Sequence, residues 1–146
     1  MKKLLLILLM TIFAFGTVNF SKPIPDFENP RQWLIRVNNA EAQKVNHIIN
    51  AINNVLKGYP EEALQIKVIF YANGIRATRK DYDRKTLNRI KSLMLYDNIE
   101  FVVCKNTMDT MGWKKDEFIE GVEYVQIGIA EVIERIKDGW IDVSPY

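Results

Sequence analysis

The sequence predicts an α/β fold: a three-layer α/β/α arrangement around an open, mainly parallel sheet of about five strands. Three observations point there. Strand-like segments alternate with amphipathic stretches of roughly 10–15 residues, the spacing of strand–helix–strand crossovers. Segments such as Ile66-Lys67-Val68-Ile69-Phe70-Tyr71 and Phe101-Val102-Val103 are nearly continuous in apolar residues, as expected of strands covered on both faces. The helical stretches space their apolar residues at three and four, so each presents one buried face.

In chain order, Lys2 and Lys3 precede an apolar run from Leu4 to Phe15, followed by Gly16 and Thr17. A basic start and a short apolar centre form the pattern of a secretory signal. The run falls short of the roughly 20 residues a spanning helix needs, so no stable membrane anchor is expected. Ala14 and Gly16 put small residues before a cut after Gly16, and no cysteine follows for a lipoprotein anchor. Residues 1–16 are therefore expected to be a cleaved signal peptide, and the protein periplasmic or secreted. The alternative is an amphipathic or buried amino-terminal segment. Such a cut leaves 130 of the 146 residues, and takes two of the 20 basic residues but none of the 18 acidic ones. The remainder is balanced in charge, which argues against nucleic acid as a partner.

Residues 17–30 hold three of the five prolines (Pro23, Pro25, Pro30) and read as an extended linker. Residues 31–146 form the α/β domain. Trp33 to Val37 is the first strand, ending at Asn38 and Asn39. Val45, Ile48, Ile49, Ile52, Val55 and Leu56 stripe a helix that stops at Gly58 and Pro60. Ile66 to Tyr71 is the second strand, followed by a turn at Asn73-Gly74. Leu87, Ile90, Leu93 and Met94 stripe the second helix, and Ile99 to Cys104 is the third strand. Thr107 to Phe118 predicts one or two short helices broken near Gly112. Val122 to Ile127 is the fourth strand, Ile129, Val132, Ile133 and Ile136 mark a further helix, and Trp140 to Val143 closes as a short strand.

In open parallel sheets the functional crevice lies outside the carboxyl ends of the strands. Asn38, Asn39, Asn73, Gly74, Cys104 and Gly128 all fall at such ends. Cys104 is the only cysteine, so it cannot close a disulfide within its chain. It ends a strand and precedes a helix start at Lys105-Asn106-Thr107-Met108-Asp109, where amide dipoles and the Lys105 ammonium would favour a thiolate. Asn106 or Thr107 is the expected helix cap, with Asp109 reaching back. The plainer reading makes Cys104 a buried structural thiol, the commonest state of free cysteine. Asn38, Asn39, Asn73 and Gly74 are likewise turn residues first and pocket lining second.

The order of HIINAINNVL, KVIFYANGI, EFVVCKNTMDTMGW and GVEYVQIGIAEVIERIKDGWIDVSP, from about Gln32 to Pro145, resembles the DsrE/DsrF-like family of sulfur-relay proteins. The resemblance implies an open parallel α/β sheet, oligomeric assembly, and a persulfide-carrying cysteine at Cys104 in sulfur-transferring members. Ala72-Asn73-Gly74 stands where many relatives have a His-Gly turn. The chain is thus expected to be an exported sulfur carrier with Cys104 as the reacting residue and Lys105, Asn106, Thr107, Asn38, Asn39, Asn73 and Gly74 around it. Its expected partners are further copies of itself and a protein that donates or accepts sulfur. The alternative is a non-catalytic oligomeric binding module whose cysteine is structural.

No cofactor is expected: no phosphate-binding Gly-Lys-Ser/Thr loop or G-x-G-x-x-G sequence is present. His47, the lone histidine, has no second ligand at metal spacing. A basic group (Arg76, Arg79, Lys80, Arg84, Lys85, Arg89, Lys91) and an acidic one (Asp116, Glu117, Glu120, Glu123, Glu131, Glu134) suggest complementary faces for assembly. Met108, Met111 and Trp113 are the candidate apolar contacts.

Overall fold

The computed structural model describes residues 18–145, so the expected signal peptide lies outside the described residues. Residues 18–30 contain no helix or strand. They are tied down locally, Arg31 donating to the carbonyls of Ser21 and Pro23 (both 2.7 Å) and Phe20 packing edge-on against Tyr59 at 4.8 Å.

The domain runs β1 (Arg31–Val37), α1 (Ala42–Leu56), β2 (Leu64–Phe70), α2 (Arg84–Leu93), β3 (Ile99–Cys104), α3 (Lys105–Met111), β4 (Glu123–Val125), α4 (Gly128–Lys137) and β5 (Ile141–Asp142). The five strands form one sheet in the order β4-β3-β2-β1-β5, every neighbouring pair parallel. The expected fold class is therefore observed. Between β2 and α2 lies a 3-10 segment, Ala72–Thr78, where the sequence suggested only a turn.

Strand order explains the layers. The crossovers from β1 to β4 all advance in one direction, and right-handed connections put their helices on one face. The chain then returns across the whole sheet to β5, so α4 lies on the other face. The first face carries the main core. Ile35, Val37, Ile66, Val68, Phe70, Phe101 and Val103 meet Val45, Ile48, Ile49 and Ile52 of α1 and Leu87, Ile90 and Leu93 of α2. Asp83 caps α2 by accepting from the Thr86 amide at 2.8 Å, and Arg89 donates to Asn46 and Asn50 of α1.

The second face has a narrow core: Leu34, Ile69 and Val102 against Val132. One ten-residue helix cannot cover five strands, and the flanking sheet positions are polar. Lys67 pairs with Glu100 (2.9 Å) and Glu131 (3.3 Å), Arg36 with Asp142 (3.0 Å), and Gln32 bonds Gln65 (2.9 Å). The stripe expected to bury α4 does not do so. Of its residues only Val132 is buried, while Ile129, Ile133 and Ile136 point outward.

Candidate functional site

Cys104 ends β3 and is also the cap residue of α3, with extended φ and ψ of −75° and 113°. The cap thus falls two or three residues before the expected Asn106 or Thr107. Lys105, Asn106 and Thr107 form its first turn, and no side chain makes a capping hydrogen bond. Gly112, in the left-handed region at φ 69°, ends the helix, where a break was expected.

The thiol is only 5% exposed. Its Sγ accepts a hydrogen bond from the Gly128 N–H at 3.2 Å and faces the Gln126 carbonyl at 3.9 Å. Gly128 is the first residue of α4, so this N–H is one of the amides that helix leaves unpaired. The sulfur therefore lies between the starts of two helices, on the side of the sheet that α4 covers. Burial pushes the thiol pKa up. The Thr107 hydroxyl and the N–H groups of Gly128, Thr107 and Asn106 oppose it and win, so the thiol titrates below its ordinary value. The Gly128 bond has full hydrogen-bond geometry, and the α3 amides act as neighbouring dipoles. The leading stabilisers are thus backbone amides and a hydroxyl rather than the Lys105 ammonium.

Two further participants are Tyr71, absent from the expected site, and Gly128, expected at the carboxyl edge but without a role at the thiol. Phe70 pairs with Val103, which places Tyr71 beside Cys104. A Cβ on Gly128 would lie 3.0 Å from Cys104 Cβ and 3.1 Å from Tyr71 Cβ, so a side chain at the start of α4 would push those neighbours back by a few tenths of an ångström. Glycine gives the close approach to the thiol without that shift. The available signal was a glycine directly after a strand at the carboxyl edge.

The turn residues divide. Gly74 is buried, and a Cβ there would fall 1.9 Å from the Val37 carbonyl oxygen, so its role is to let the 3-10 segment touch the end of β1. Ala72 has φ 47°, a left-handed conformation that an alanine adopts at a cost. Asn73 is exposed at the same edge. Asn38 and Asn39 follow β1, two strands and roughly 10 Å from β3. Asn39 serves α1 instead, accepting from the Glu41 amide at 2.7 Å. The structure brings the Thr107 hydroxyl and the amides of Thr107 and Asn106 to the thiol, has Lys105 adjoin it along the chain, and leaves Asn38 and Asn39 farther along the edge.

His47 is exposed on α1. Among the described residues no group of three His, Cys, Asp or Glu side chains could hold a metal ion. A cavity of about 480 Å³, lined by Phe27, Leu64, Asp97, Asn98 and Trp140 among others, opens at the amino ends of β2 and β3, away from the thiol. The charged groups expected to face different subunits partly meet within one chain. Arg79 pairs with Glu117 and Asp81, both at 2.9 Å, and lies 4.3 Å from the Trp113 ring centre. Met108 is buried in the core, Trp113 is half-buried, and only Met111 of that trio is exposed.

An all-parallel α/β sheet with a thiol at its carboxyl edge, set against two helix starts, is the class of protein defined by fold and site. The DsrE/DsrF-like family profile matches residues 34–142, and the chain belongs to that family. The solved structure of a protein of unknown function, MTH1491 from Methanobacterium thermoautotrophicum, is similar in fold. The TM-score is 0.71 at 23% identity, covering 79% of this chain and 99% of that one. No curated protein matches the chain.

Proposed function

We propose that this protein is an exported sulfur carrier that holds sulfane sulfur on Cys104. The observation that carries the reading is the Sγ atom at the starts of α3 and α4, where amide dipoles favour its thiolate. Membership of a sulfur-relay family supports it. The Cys104 thiolate attacks the outer sulfur of a donor persulfide, R–S–SH. A bond forms between Sγ and that sulfur, the donor S–S bond breaks, and R–S⁻ leaves with the bonding pair while the proton stays on the transferred sulfur. A partner thiolate then attacks the carried sulfur and releases Cys104 as thiolate. No net oxidation occurs, so the exchange needs no cofactor.

Intact mass after incubation with polysulfide tests the reading. The expected result is a gain of one sulfur atom, removed by dithiothreitol and absent from Cys104→Ser. A wild type that gains no sulfur overturns it. The second reading, a binding module with a structural cysteine, is favoured by the low exposure of the thiol. Native alkylation as slow as in other buried thiols would support that alternative.

Export belongs to the same reading, motivated by Lys2, Lys3 and the apolar run after them. Amino-terminal sequencing of the periplasmic fraction should begin near Thr17, and an intact Met1 in washed membranes contradicts it. Assembly into a homo-oligomer is also part of the reading. Ile129, Ile133 and Ile136 supply exposed apolar area that such contacts would bury. Light scattering on the purified protein decides this, a monomer being the contrary result.

A further inference from the structure

We propose that the turn Gln126–Ile129 is a lid over Cys104, one that opens locally to admit sulfur and closes by returning the Gly128 N–H to Sγ. What the lid admits rests on the sulfur-carrier reading; its opening does not.

The thiol is covered, but only by a thin layer. Cys104 is 5% exposed, whereas Ile127 is 53% and Ile129 45% exposed. A second sulfur extends about 2 Å from the first. On the lid side, the Gly128 nitrogen and the Gln126 oxygen stand 3.2 and 3.9 Å from Sγ. The closed turn leaves no space there for a sulfur atom, which needs its own van der Waals distance from each.

Little holds the turn shut. Besides the bond to Sγ, its cross-element anchor is the Asn106 N–H donating to Gln126 O at 3.0 Å. Ile127 precedes α4 without a side-chain cap. Within α4 only Gly128 and Val132 are buried. The first turn of α4 is tied to the sheet by the Glu131–Lys67 ion pair at 3.3 Å, beyond the lid itself. Few apolar contacts resist an outward swing of Gln126–Ile129, the composition of a segment that opens below the global unfolding energy. On the other side of the thiol, Ile99, Phe101 and Val103 of β3 and Met108 of α3 are buried in the main core, which holds those elements in place.

Cys104 is the only thiol, so its alkylation reports the opening directly. Labelling of the full protein with iodoacetamide is followed in urea concentrations below the unfolding transition, beside equilibrium unfolding of the same sample. A logarithmic labelling rate rising with urea at less than half the global slope is the expected result, because a lid exposes a small area. A slope equal to the global one shows that only unfolding exposes the thiol, and overturns the lid. A slope of zero shows that the closed state is already accessible, and overturns it too.

Deuterium exchange supplies the second readout. Carbamidomethylated protein should exchange the amides of residues 126–129 at least tenfold faster than the free thiol form, with β1 and β2 unchanged. Equal exchange in the two forms contradicts the proposal. Protein that shows the shallow urea slope but takes no sulfur from polysulfide retains the lid and loses the carrier reading, so the two fail separately.

Discussion

Thr107 is the side chain that most favours a charged Cys104, ahead of the amides of Gly128, Thr107 and Asn106. Thr107→Val keeps the shape and removes the hydroxyl. Its Cys104 should titrate higher and alkylate more slowly at neutral pH, as read from alkylation rate against pH. An unchanged profile assigns the lowering to the backbone amides alone. The same shift has a consequence for stability. The folded thiol titrates below its unfolded value, so between the two values the unfolded chain binds more protons and stability rises with pH. The contribution is complete above the unfolded value, near 9, and fades as pH falls through the lowered one. Urea unfolding across this window should show the slope in the wild type and lose it in Cys104→Ala.

Helix α4 shows what periodicity can and cannot tell. Ile129, Val132, Ile133 and Ile136 do lie on a helix, yet periodicity gives their shared spacing and not the direction of the sheet. The direction is set by Gly128, which must face Cys104, and by Glu131, which reaches Lys67 across the strands. Ile133, 57% exposed, should therefore accept Ile133→Lys with a change in unfolding free energy within about 0.5 kcal/mol, measured in urea. A larger loss would show that the ridge is packed in the protein as isolated. The segment after β2 behaves in the opposite way. Gly74→Ala should cost about 3 kcal/mol, because its Cβ meets the Val37 carbonyl rather than a side chain that could turn aside.

At the scale of the molecule, the strands and their order of appearance could be read because parallel strands buried on both faces must be apolar. Ile66 to Phe70 and Phe101 to Val103 have no other economical use. The site was legible only as far as the chain is continuous. Cys104, Lys105, Asn106 and Thr107 are neighbours in sequence, whereas Gly128, expected at the same edge, and Tyr71 meet the thiol through α4 and β2, contacts that the sequence does not spell out. The unequal layers also predict where the molecule is most rigid. Amide exchange should be slowest in β1, β2 and β3, with Ile35, Val68, Ile69 and Val103 in the centre, and faster throughout α4. Protection in α4 equal to that of β2 would contradict a one-helix second layer.

The strands at the two margins, β4 and β5, span three and two residues. A long unpaired margin offers a row of amide and carbonyl groups on which another chain can stack as a further strand, the first step toward fibrils. Here that row is too short to hold a visiting strand. Concentrated protein is accordingly protected from growth by strand addition, and contacts between copies are left to side chains.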